Sequence, residues 1–226
     1  MSHEVTNTPM GGNMYQTQRT GRFKGSMITN IALAVEASQL YEEITGAPLA
    51  AWIASAGMAP GSFGWSQWVD SLEELSQRNE KIIASADWAN LEERAGDIAL
   101  EWGEDQIAQA LVVPETRGAA APVGSRVLQS LVRSTQDADP TEALQWAIKM
   151  TEVGARVSGA STGLTQFGFG SEWGTLCFTN LYPDSAALDA GVAKTSADPE
   201  YVSVFMEGRK YVDISTMRRL LLVKIA

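Results

Sequence analysis

Histidine is nearly missing from this 226-residue chain: the only one is His3, close to the N-terminus. A Ser-His-Asp or Cys-His pair needs a buried, positioned base, and a His-rich metal site needs several ligands. Both are excluded. Cysteine is as scarce. Cys177 stands alone, so no intrachain disulfide forms, which fits a reducing cytoplasm. Cys177 lies mid-strand in GTLCFTN with no cationic neighbour in sequence, and reads as a small buried hydrophobe. No run approaches the roughly 18 to 20 apolar residues of a membrane span. The N-terminus MSHEVTNTPMGGNMYQTQRTG has no apolar signal-peptide core. The glycines are scattered, without a phosphate-loop or dinucleotide fingerprint, and no metal-loop spacing stands out. Positive charge is short too. The net charge is −10, and residues 70–105 hold eleven Asp/Glu against Arg78, Lys81 and Arg94. Phosphate binding wants a basic face, so nucleic-acid and anionic-membrane partners are disfavoured.

What is present is a core: 45% of residues are hydrophobic. Residues 1–21 are polar and turn-rich and read as an irregular arm. RFKGSMITNI, from Arg22, reads as a strand. The following helix carries Leu33, Ala37, Leu40 and Ile44 on one stripe and stops at Gly46 before Pro48. LAAWIASAG and FGWSQWV read as a hairpin, and Asp70 or Ser71 caps the next helix. A long helical piece, WANLEERAGDIALEWGEDQIA, precedes the strand ALVVPE. The Ala/Gly/Pro-rich stretch 114–125 reads as a linker. The pattern then restarts: RVLQSLVRS is a strand, and a helix capped by Asp139 carries Pro140 at its first position with Glu142 in its first turn. TGLTQFGFG and WGTLCFTNL make a second hairpin. DSAALDAGVAKTSA is a helix continued by DPEYVSVFMEGRKYV, and RRLLLVKIA is the last strand.

Each half thus reads strand, helix, strand, strand, helix, strand. The landmarks Gly61-Ser62 and Gly170-Ser171, Asp70-Ser71 and Asp184-Ser185, Ser85-Ala86-Asp87 and Ser196-Ala197-Asp198, and Gly46 and Gly159 recur in the same order. The expected fold class is α+β: two tandem ferredoxin-like βαββαβ repeats, 22–113 and 126–226, packed sheet-to-sheet as a pseudo-symmetric barrel. The hairpin and helix bearing Trp65, Trp68, Asp70-Ser71-Leu72, Ile83 and Asp87-Trp88 resemble the corresponding stretch of the dimeric α+β barrel superfamily. The likeness is to its small-molecule monooxygenase-like and NIPSNAP-like members, in a fused form. It covers most of 22–226 and implies a fold more than an activity.

Along FGWSQWV, alternation places Phe63, Trp65, Gln67 and Val69 on one face and Trp68 on the other. One face packs on helices and the other looks into the barrel. The resemblance implies binding of, or cofactor-independent chemistry on, a small apolar or aromatic molecule between the sheets. Trp65, Trp68, Gln129, Gln166 and Phe167 are the expected contacts, supplying shape, stacking and orientation. Catalytic residues stay unassigned, and neither cofactor nor metal is implied. The alternative reading is a non-catalytic assembly protein that oligomerises or docks a partner through its N-terminal arm.

Overall fold

The structure, a computed structural model, describes residues 14–170 and 173–226. His3 and most of the expected arm lie outside these. The first element is a strand inside the segment expected to be irregular: β1 (Tyr15–Phe23). Its alternate residues Gln16, Gln18, Thr20 and Arg22 are polar and face inward, so it lacks the apolar alternation that marks a half-buried strand. The helix α1 (Met27–Thr45) begins at once, where a strand was expected to run on to Ile31. Gly46, at φ 76°, ends it in the left-handed conformation that glycine adopts without steric cost.

β2 (Ala50–Ala56) and β3 (Ser62–Val69) form the first hairpin. α2 (Leu72–Ile83) is capped by the Ser71 hydroxyl, which accepts from Glu74 N, while the Glu74 carboxylate accepts from Asp70 N. Backbone donation to that carboxylate holds its pKa below the usual range. The expected long helix is shorter than its pattern suggested. α3 (Ala86–Ile98) gives way to β4 (Ala99–Trp102) and β5 (Gln106–Val112).

The second half opens with β6 (Arg126–Ser134) and α4 (Pro140–Ser158), whose cap Asp139 accepts from Thr141 N and Glu142 N. β7 (Ser161–Phe169) and β8 (Thr175–Tyr182) follow, then α5 (Ser185–Ala197). A new helix, α6 (Pro199–Glu207), starts at Asp198-Pro199 rather than continuing α5; the Asp198 side chain caps it. The chain then enters β9 (Val212–Lys224).

The two halves are not separate sheets pressed face to face. All nine strands belong to one antiparallel sheet. Within the first half β5 pairs with β1, β1 with β3 and β3 with β2; within the second β9 pairs with β6, β6 with β8 and β8 with β7. The halves meet edge to edge, β2 on β9 and β7 on β5, and the ladder runs round to its start. β4 extends the line beside β1. Closure consumes the strand edges that would otherwise template aggregation. Helices α1 to α3 cover the outer face of the first half, around Phe23, Ala34, Phe63 and Ala95. Helices α4 to α6 cover the second, around Trp146, Ala147, Met150, Leu164 and Val204.

Corresponding joints lie 113 residues apart: Gly46 and Gly159, the starts Ser62 and Thr175, the caps Ser71 and Asp184, and the caps Ser85 and Asp198. By position Ser85 matches Asp198, the cap of α6, rather than Ser196.

Candidate functional site

Alternation along each strand sends one set of side chains into the lumen of the ring and the other outward beneath the helices. Of the expected contacts, Trp68 and Gln129 line the lumen, and Gln129 is buried. Phe167 also points inward, but it is packed solid with Ala108, Leu131 and Cys177. Trp65 is on the outer face, where its indole packs edge-on to Phe23 and donates to Ala34 O at 3.4 Å. Gln166 is exposed on the surface. The five residues do not converge on one site.

The lumen holds a cavity of about 360 Å³ whose walls mix polar side chains with Trp52, Trp68, Val127 and leucines. Several of those groups are already engaged: Trp52 Nε1 donates to Ser66 Oγ at 2.9 Å, and Gln18 Nε2 to Gln16 Oε1 at 3.1 Å. The Thr165 hydroxyl is enclosed without an oxygen or nitrogen partner; its polar neighbour is the Cys177 sulfur. The segment between β5 and β6 caps one end. Ala119 and Ala121 pack on Trp52 and Val127, and Lys224 Nζ donates to the carbonyls of both alanines at 2.7 and 2.6 Å. A Cβ at Gly118 would come within 2.8 Å of the Trp52 ring, so glycine alone fits beneath the cap.

A second cavity, also about 360 Å³, lies outside the ring between β1, β3 and the three helices of the first half. Its wall is predominantly apolar and aromatic: Phe23, Leu33, Ala37, Trp65, Trp88 and Trp102. Phe23 meets Trp102 edge-on at 5.5 Å, and Tyr41 meets Trp88 at 6.1 Å. One buried polar group interrupts this wall. Gln67 Oε1 accepts from the Tyr41 hydroxyl at 2.6 Å and from Arg78 Nη1 at 2.7 Å. A guanidinium only donates, so the oxygen must be the atom on that side, and the amide orientation is fixed. Arg78 is itself held by Glu74 and by Trp68 O at 3.2 Å. Burial raises the Tyr41 pKa, so its phenol stays protonated and donates. At the mouth Arg19 Nε donates to Asp105 Oδ1 at 2.6 Å, and Trp88 Nε1 donates to Glu92 Oε1 at 2.9 Å. The pocket offers shape, stacking and one oriented amide. Its two carboxylates, Asp105 and Glu92, stand at the rim on these partners, and among the described residues no carboxylate or histidine is buried within the pocket. Among the described residues no cluster of His, Cys, Asp or Glu could hold a metal ion.

Sequence alternation had placed Gln67 beside Trp65. The tie from Tyr41 and Arg78 to Gln67 joins α1, β3 and α2, and no local spacing announces it. No described helix is long and apolar enough to cross a membrane.

No family model matches the chain, and no curated protein matches it. Solved structures do. A candidate monooxygenase from Lactobacillus acidophilus NCFM superposes with a TM-score of 0.69 at 13% identity, over 95% of each chain. A candidate monooxygenase from Fusobacterium nucleatum gives 0.71 at 7% identity, over 96% of this chain and 94% of that one. An anthrone oxidase-like protein gives 0.59 at 13% identity, over 93% and 92%. At such identities the likeness is one of fold: α+β, ferredoxin-like, with a large antiparallel sheet and helices on its outer faces.

Proposed function

We propose that the chain binds a small apolar or aromatic molecule, and works on it without a cofactor, in the outer pocket of the first half. The observation that carries this reading is the aromatic wall interrupted by one amide whose orientation is fixed. An apolar cavity with a single oriented polar group is the usual design of a small-molecule site. The lumen is the weaker candidate, because several of its polar groups bond each other and one end is capped. Relatives in fold named for monooxygenase and anthrone oxidase chemistry support the ligand class. The absence of a general base inside suggests that the protein positions and desolvates a molecule whose own acidity or redox chemistry drives the reaction. The same reading takes the halves as copies of one ferredoxin-like unit, fused and closed into a pseudo-symmetric barrel. The shared 113-residue spacing of the helix-ending glycines, of the caps and of the starts of β3 and β8 supports this.

The test is a titration with anthrone, followed by quenching of tryptophan fluorescence, in the native protein and in Ala37→Phe. Ala37 is buried on α1 and lines the pocket; phenylalanine there fills it. Saturable quenching that weakens at least about tenfold in Ala37→Phe is the expected result. Equal affinity in the two proteins would move the site elsewhere.

A further inference from the structure

The second half has a pocket of its own, independent of the one above, and its chemistry is different. It measures about 290 Å³ and lies between the outer face of β6, β8 and β9 and helices α4 to α6. Trp146, Met150, Phe178, Tyr201, Phe205 and Met217 give it an apolar floor. The chain carries a net charge of −10, yet among the described residues no carboxylate lines this pocket, and its one charged side chain is Arg219. Arg219 is exposed at the edge, and among the described residues it has no carboxylate partner. Most hydroxyls around it are occupied. Thr151 donates to Ala147 O at 2.9 Å, Thr162 to Thr151 O at 3.3 Å, Thr195 to Gly191 O at 3.1 Å and Ser196 to Val192 O at 2.8 Å. The guanidinium is thus the charged group within an occupant's reach, above an apolar floor that also carries the Ser130 and Tyr201 hydroxyls and the Asn180 amide.

We propose that this pocket is a second ligand site, selective for a small organic anion: an apolar or aromatic body on the floor and a carboxylate paired with Arg219. A planar guanidinium matches a carboxylate with two parallel N–H bonds, which a neutral isostere cannot reproduce. Burial of the ring provides most of the affinity. Arg219 is solvent-facing, so its contribution is selectivity of a modest, salt-sensitive size.

The probes are 2-naphthoate and its neutral isostere 2-naphthamide. The readout is methyl NMR of the full chain labelled with ¹³C at the methionine methyls. Among the described residues Met150 and Met217 line this pocket and no methionine lines the pocket of the first half, so their shifts report the site directly. At low salt, naphthoate should move both methyls and bind about fivefold more tightly than naphthamide. The gap should close at high salt, and in Arg219→Gln it should vanish while naphthamide affinity is unchanged. Arg219 is exposed and has no ion pair among the described residues, so this substitution leaves the fold intact; the salt dependence in the native chain tests the charge separately. Equal affinities in the native chain, a preference that survives Arg219→Gln, or no movement of Met150 and Met217 with either compound would each overturn the proposal.

Discussion

The environment of Cys177 decides its chemistry. It is fully buried on the lumen side of β8, beside the Thr165 and Thr179 hydroxyls. Burial pushes its thiol from 9.0 up to about 11. A protonated thiol sealed from solvent is no nucleophile, in keeping with a residue that packs against Ala108, Leu131 and Phe167. The raised pKa means that the folded chain holds this proton more tightly than the unfolded one. Its contribution to stability is intact below about pH 9 and drains away as the pH rises towards 11, because the unfolded state ionises first. By pH 10.5 the loss should be about 2 kcal/mol. Urea titrations at pH 8 and pH 10.5 check this: the native chain should lose about that much more stability between the two than Cys177→Ala. Equal losses would mean that the thiol is not held out of water. The glutamines make the same point about environment. Gln67, Gln129 and Gln166 look alike in sequence, but strand parity puts the second in the lumen and the other two on the outer face, where helices cover Gln67 and leave Gln166 in solvent.

At the scale of the element, helix ends were the most legible feature. Asp139-Pro140 and Glu142 announce the start of α4, and the Asp139 carboxylate does accept from two orphan N–H groups of its first turn. Gly46 and Gly159 end their helices in the left-handed region as their positions suggested. Strand boundaries were legible only where the buried face is apolar. β1 was missed because its inward residues are Gln, Thr and Arg, facing a polar lumen rather than a hydrophobic core. β4 and the start of β5 fall within the expected helix because ALEW and QIAQ have no clean alternation of polar and apolar residues, while the expected strand ALVVPE overlaps the end of β5. The caps are open to a direct test. Asp139→Ala and Asp184→Ala should each cost about 1 kcal/mol in urea unfolding at pH 7, since each leaves a first-turn N–H without its partner. Asp139→Asn, which keeps the acceptor, should stay close to the native value. A loss as large for asparagine as for alanine would point to the charge rather than to the cap.

The closed ladder ties the halves together more tightly than two domains on a linker. Both seams are paired: Ile53 of β2 pairs with Val223 of β9, and Ala108 of β5 pairs with Phe167 of β7. The last strand also holds the cap of the lumen through Lys224, whose burial lowers its pKa and whose ammonium bonds two carbonyls of the connecting segment. Opening one seam would expose backbone groups of both halves to a low-dielectric interior or to solvent, which couples their stabilities. The element order alone could not reveal this, because two ferredoxin-like units pack face to face or close edge to edge with the same sequence of strands and helices. The consequence is a single unfolding transition. Trp52, Trp65, Trp68, Trp88 and Trp102 lie in the first half, against Trp146 and Trp173 in the second, so tryptophan fluorescence reports mainly on the first. Far-UV circular dichroism weighs both. The two probes should give one urea midpoint and one slope. A fluorescence midpoint displaced from the dichroism midpoint would show the halves unfolding separately, with the β2–β9 and β5–β7 seams too weak to couple them.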